Sequence, residues 1–216
     1  MEIINLGQIE YKKALNLQLQ RVEEVLKNQS DETIFICSHP PVVTLGRKTD
    51  PSEITTWKGE TVEIKRGGKA TYHGPGQTIA YPIINLEKRN KDIHKYLRGL
   101  EAAMIQALEC FDINAKGDTG QTGVWIQERK IASIGVAVRR WVTYHGLAIN
   151  LFHDPQAFLG INPCGLGAEC MTSLEKEKQA LAGSEIYNDE EKKAIRNKFE
   201  DELSSSLCHI LRPESF

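Results

Sequence analysis

Between Gly123 and Leu151 the chain runs three β-rich segments almost without pause, and no other stretch limits the fold so tightly. Gly123-Val124-Trp125-Ile126, then Ile131 to Val138, then Val142 to Leu151 are joined by short turns at Glu128-Arg129 and Arg139-Arg140. A parallel crossover needs about a dozen residues, so turns this short predict an antiparallel meander. Upstream, Thr33-Ile34-Phe35-Ile36-Cys37 reads as a buried strand stopped by Pro40-Pro41, and Val42-Val43-Thr44-Leu45-Gly46 as a second. Thr61-Val62-Glu63-Ile64-Lys65 alternates, and Thr78 to Leu86 gives a further strand. Pro82 removes a donor from that last strand and predicts a place near an edge or a bulge.

Helical spacing appears in three places. Tyr11, Leu15, Leu19, Val22 and Leu26 form one amphipathic face. Asp92 caps a second helix with Ile93, Tyr96, Leu97, Leu100, Met104, Leu108 and Phe111 on its face. Ile195, Phe199, Leu203 and Leu207 mark the last. Strands and helices mix without strict alternation, which predicts an α+β fold with a mixed or antiparallel sheet and helices packed on it. At 216 residues the expectation is one domain over residues 1–216.

Composition narrows the function. A net charge of −2 argues against nucleic acid, and no apolar run reaches the roughly 20 residues of a membrane span. The first residues lack a basic start and an apolar core, so no signal peptide is expected. Five scattered cysteines fit a reducing cytoplasm rather than a disulfide framework, and none has the spacing of a zinc site. Cys37, Cys110 and Cys208 fall on strand or helix faces and read as small buried hydrophobes.

Two stretches carry chemistry. Residues 66–77 place two pairs of glycines around Thr71-Tyr72-His73, costly in backbone entropy unless something approaches the backbone there. This loop runs between two strands, which excludes a dinucleotide or P-loop reading. Asn162-Pro163-Cys164-Gly165 presents a thiol on a tight turn, where a nucleophile is displayed; Cys170, six residues on, competes with it. A free thiol is only a few per cent ionised at neutral pH, so Cys164 needs a nearby cation, backbone N–H groups at its glycine turn, or both. Lys130 is the candidate cation, because Ser133 and Gly135 bring small residues into its strand. His73 and His145, each before a glycine, stand as possible bases or as structural histidines, and spacing does not separate the two. His39, His94 and His209 read as structural or solvated. No Gly-x-Ser-x-Gly elbow occurs.

The ordered blocks 39–46, 66–77, Gly123-Val124-Trp125, Lys130 to Gly135, His145 to Asn150 and Asn162 to Gly165 together resemble the lipoyl(octanoyl) transferases, the octanoyl-[acyl-carrier-protein]:protein transferases of lipoate biosynthesis. The resemblance spans residues 34–173. It implies a biotin/lipoate protein ligase-like fold and a cytosolic acyltransferase without cofactor or metal. Its catalytic cysteine falls on Cys164 and its lysine on Lys130. Its substrate-binding positions fall on Arg66, Gly67, Gly68, Lys69, Ala70, Thr71, Tyr72 and His73, on Ser133, Ile134 and Gly135, and on Gly146, Leu147 and Ala148. The donor it implies is octanoyl-acyl carrier protein. The implied acceptors are lipoyl domains of 2-oxoacid dehydrogenase complexes and the glycine cleavage H protein. Arg139-Arg140 is most simply a turn, with reception of an acidic carrier as the other reading. Either Cys164 forms a thioester or Cys164 and Lys130 act only as acid and base in direct transfer. An ATP-using ligase of the same fold, a non-catalytic carrier-binding protein and a cysteine hydrolase are the rivals.

Overall fold

The central strands are buried at nearly every position, so helices must cover both faces of their sheet. In the computed structural model, which describes residues 1–118, 120–162, 167, 170–182 and 187–215, two sheets and four helices are present. In chain order they are β1 (Glu2–Gln8), α1 (Tyr11–Leu26), β2 (Thr33–Ser38), β3 (Val42–Leu45), β4 (Glu60–Glu63), β5 (Thr71–His73), β6 (Gln77–Ile83), α2 (Ile93–Glu109), β7 (Lys116–Gly117), β8 (Gly123–Ile126), β9 (Arg129–Arg139), β10 (Val142–Asn150), α3 (Leu174–Ala182) and α4 (Asp189–Ile210). The large sheet has the order β1-β2-β6-β10-β9-β8-β7, and the small one β4-β3-β5. β8, β9 and β10 form the antiparallel meander, with left-handed Gln127 at the first turn and Arg140 and Trp141 at the second. This is an α+β fold with mixed sheets, as the strand pattern predicts.

One face of the large sheet carries Ile34, Ile36, Ala80, Leu147 and Ile149 and packs on α2 and α4. Phe199, Leu203 and Leu207 of α4 are fully buried there, each worth about 1.5–3 kcal/mol. The opposite face carries Phe35, Cys37, Ile79, Tyr81 and Ala148, and α1 covers it with Ala14, Val22 and Val25. Asp92 caps α2 by accepting from Lys95 N at 2.8 Å, and Asn188 with Glu191 forms a capping box on α4.

Three expectations need correction, and one strand went unread. Pro82 is at no edge: β6 is the third strand of seven, and Pro82 pairs with Ile34 of β2. The proline is tolerated because the ladder from β6 to β10 has already ended at Ala80. Thr71-Tyr72-His73 is not loop but β5, paired with β3. Cys110 is exposed, one residue past the end of α2, with Lys198 of α4 donating to its carbonyl at 3.0 Å. The amino-terminal segment forms β1, a parallel partner of β2, which its weak alternation did not signal. Among the described residues no helix is long and apolar enough to cross a membrane.

Candidate active site

Small side chains on adjacent strands open a slot on the α1 face. Ser133 and Gly135 on β9 and Gly146 and Ala148 on β10 sit where neighbouring positions carry bulky groups. Thr71 and His73 of β5 form the opposite wall, with Arg66 and Gly68 beside them. The resulting cavity, about 40 Å³, also takes in Tyr11, Ile79, Tyr81, Ile134, His145 and Leu147. That is the space of about three water molecules.

The glycine loop is pinned where the slot begins. Gly67 N donates to Val136 O at 2.9 Å. A Cβ on Gly135 would lie 2.8 Å from Arg66 Cδ and 3.3 Å from Gly67 O, so only glycine permits this approach. Arg66 is buried, and its guanidinium donates to Thr44 O at 3.0 Å, Thr44 Oγ1 at 2.9 Å and Gly67 O at 2.9 Å. At Gly68, Ile134 and Gly135 the slot meets an open vestibule of about 550 Å³. Its described walls include Lys48, Lys69 and Lys130 and no carboxylate.

Lys130 is 3% exposed despite its charge. The β8–β9 register slips beside it: Trp125 pairs with Lys130 but Val124 with Ala132. An irregularity of this kind re-aims a side chain. The Lys130 ammonium lies 5.2 Å from the centre of the Trp125 ring, a cation–π contact. Gly123, at φ +141°, makes room for it, since a Cβ there would stand 2.6 Å from Lys130 Cε.

Pro163, Cys164 and Gly165 lie outside the described residues. Both flanks are fixed. Upstream, Asn162 N donates to Glu53 O at 2.8 Å, and the Glu53 carboxylate pairs with Lys69 Nζ at 2.5 Å. Downstream, Met171 bridges Lys130, and Thr172 N donates to Lys130 O at 3.0 Å. One flank is therefore tied to the glycine loop and the other to Lys130's own strand.

The three buried histidines of this site, His39, His73 and His145, are held neutral. Burial pushes His73 well below the usual imidazole range, helped by His39 and the Arg66 guanidinium. His145 is pushed down to about 3 by burial and by Arg66. His39 is lowered by burial. His39 Nδ1 lies 2.6 Å from Ile9 O, which only accepts, so Nδ1 carries the proton and Nε2 accepts from Tyr81 Oη at 2.7 Å. Likewise His73 Nδ1 donates to Gln77 Oε1 at 3.1 Å. Gln77 Nε2 donates to Asn150 Oδ1 at 2.8 Å, and Asn150 Nδ2 to Thr172 O at 2.9 Å. A hydrogen-bonded line thus joins His73 to the chain that pairs with Lys130.

Of the positions the resemblance implied, Arg66, Gly68, Thr71, His73, Ser133, Ile134, Gly135, Gly146, Leu147 and Ala148 line the slot. Gly67 and Lys69 face the vestibule. Ala70 and Tyr72 turn away, into an apolar cluster with Val43, Phe158, Ile161 and Met171. Tyr72 Oη donates to Asp154 at 2.5 Å on the far side. Sequence reasoning missed Tyr11, Ile79 and Tyr81, which carry only an ordinary core signal. It also missed Glu53, which carries none, and gave Gln77, the end of the 66–77 stretch, no role.

An α+β fold with a narrow slot opening on a vestibule, a buried lysine and a glycine loop can hold an elongated ligand beside a cation. Comparison with known proteins places it: the lipoyl protein ligase A/B catalytic domain matches residues 10–200, and the chain belongs to that family. An octanoyltransferase of Geotalea uraniireducens is 42% identical over 207 residues, covering 96% of this chain and 95% of its own. One of Bdellovibrio bacteriovorus is 39% identical over 209 residues, covering 89% and 94%. The fold is also that of a lipoate-protein ligase A solved with ATP (TM-score 0.64, 14% identity, 98% and 94% covered). A bipartite lipoate protein ligase from Thermoplasma acidophilum shares it (TM-score 0.56, 15% identity, 97% and 91% covered). The chain is a transferase of this family.

Proposed function

We propose that this enzyme transfers an octanoyl group from acyl carrier protein to a lysine of lipoyl domains in the cytoplasm, as a single domain over residues 1–216, through a thioester on Cys164. The observation that carries the reading is the fastening of the Cys164 segment at both flanks, to the glycine loop through Glu53 and to the strand of Lys130. In this reading the Lys130 ammonium stabilises the Cys164 thiolate. The thiolate attacks the donor carbonyl, the carrier thiolate leaves, and Lys130 gives it a proton. The neutral amine of the acceptor lysine then attacks the new thioester. Its proton passes to Lys130 as the Cys164 thiolate departs, restoring the starting pair. Exchange between thioesters is near balance and amide formation drives the second half, so no nucleotide is consumed. Backbone groups of the Arg66 to His73 segment are the candidates for stabilising the oxyanion.

In this reading the acyl chain lies along the slot and the vestibule it opens into, and the narrow slot widens to admit it. Burying an eight-carbon chain supplies on the order of 5 kcal/mol at about 0.8 per methylene. Lys48 on the vestibule wall suits an acidic donor such as a carrier protein, while Lys69 is already paired with Glu53 and Lys130 is buried. The test is turnover of octanoyl-carrier protein with a lipoyl domain, with and without ATP. The account expects full rate without ATP and loss of about 10²–10⁴-fold in Lys130→Met. Dependence on ATP and free octanoate supports the ligase reading instead.

A further inference from the structure

The slot crosses the strands rather than following them. Ser133, Ala148 and Ile79 stand opposite one another on β9, β10 and β6, and all three line it. Its open end is on β9, at Gly135, and its far wall is on β6, at Tyr81, with Tyr11 of α1 beside it. Two strand spacings of about 4.8 Å make roughly 10 Å. An extended eight-carbon chain, advancing about 1.25 Å per carbon, measures about 9 Å.

The far wall is braced. Tyr81 Oη is held by His39 Nε2 at 2.7 Å, and His39 is anchored on Ile9 O. Tyr11 Oη lies 3.3 Å from His145 Nδ1, and the Tyr11 ring packs edge-on against His39 with centroids 5.2 Å apart. His145 N in turn donates to the buried Gln18 Oε1 at 2.8 Å. Moving either phenol outward therefore breaks buried hydrogen bonds. We propose that Tyr11 and Tyr81, braced by His145 and His39, are the stop that limits the acyl chain to about eight carbons. This rests on the slot being the acyl site of the proposed reaction.

The test is the ratio of kcat/KM for dodecanoyl- against octanoyl-carrier protein, with a lipoyl domain as acceptor and product read by mass. Tyr11→Ala removes the ring at the first residue of α1, where alanine is a good helix former. Each further buried methylene is worth about fourfold, so the ratio is expected to rise at least tenfold. Tyr11→Leu, which keeps most of the packing, shifts it in the same direction by less and carries the test if the alanine variant does not fold. Ratios within twofold of wild type in folded variants overturn the stop while octanoyl transfer stands. A wild type that transfers neither group removes both the function and the stop.

Discussion

Gly135→Ala tests whether the glycine loop and β9 form one site. The new Cβ would sit 2.8 Å from Arg66 Cδ and 3.3 Å from Gly67 O, against an ordinary contact of about 3.4–4 Å. Arg66 cannot simply swing away, because its guanidinium is tied to Thr44 O, Thr44 Oγ1 and Gly67 O. The loop must therefore lift by roughly 0.6–1 Å, which loosens the bond from Gly67 N to Val136 O. Overpacking of this size costs about 1–3 kcal/mol. With an unfolding entropy of about 2.1 cal/mol/K per residue over 216 residues, that lowers Tm by about 2–7 °C. Activity should fall much further, since a displacement near 1 Å at reacting groups costs on the order of 10²-fold. Thermal unfolding and acyl-transfer kcat/KM, measured on the same preparation, check both numbers. A Tm within 1 °C and kcat/KM within twofold of wild type would refute the argument.

Other outcomes follow from the same geometry. Gly123→Ala, whose Cβ would press on Lys130 Cε at 2.6 Å, should cut kcat more than 10-fold, read as single-turnover transfer at saturating substrates. Arg89→Ala leaves Glu32 without its two charged bonds at 2.7 and 2.8 Å, and denaturant unfolding should show a loss of about 3–5 kcal/mol. Asn150→Leu cuts the line from His73 to Thr172 and should lower kcat several-fold, with mass spectrometry of the acylated domain as readout. His73 and His145 are depressed in the folded state, so below the unfolded value of about 6.5 the unfolded chain binds protons that the folded chain refuses. The histidine contribution is fully present above pH 7 and is lost as pH falls, by about 2 kcal/mol for His145 between pH 6.5 and 5 and in the same direction for His73. Unfolding of His145→Gln across that range should show the shallower slope.

Local signals made much of the fold legible. The short turns fixed the β8–β10 meander, the four-residue spacing of Ile195 to Leu207 fixed α4, and Asp92 marked the start of α2. What failed were inferences that needed a neighbour. Pro82 pointed to an edge, yet it sits inside the sheet because its ladder to β10 stops at Ala80. Of the residues around the slot, those with odd local chemistry stood out: glycines in strands, a lysine beside small residues, histidines before glycines. Tyr11 and Tyr81 did not, because a tyrosine on a helix or strand face looks the same whether it fills a core or ends a cavity. Glu53 was equally silent, and the roles of Gln77 and Asn150 within their blocks could not be read, since their partners lie far away in sequence and only the fold brings them together.

The most direct test of the central claim is the intact mass of the enzyme after mixing with octanoyl-carrier protein and no acceptor, for wild type and Cys164→Ser. The account predicts that wild type gains one octanoyl group, labile to neutral hydroxylamine and discharged by a lipoyl domain without ATP, while the variant gains no hydroxylamine-labile group. A wild-type enzyme that stays unmodified yet still acylates the domain would contradict the thioester and assign Cys164 and Lys130 to direct transfer.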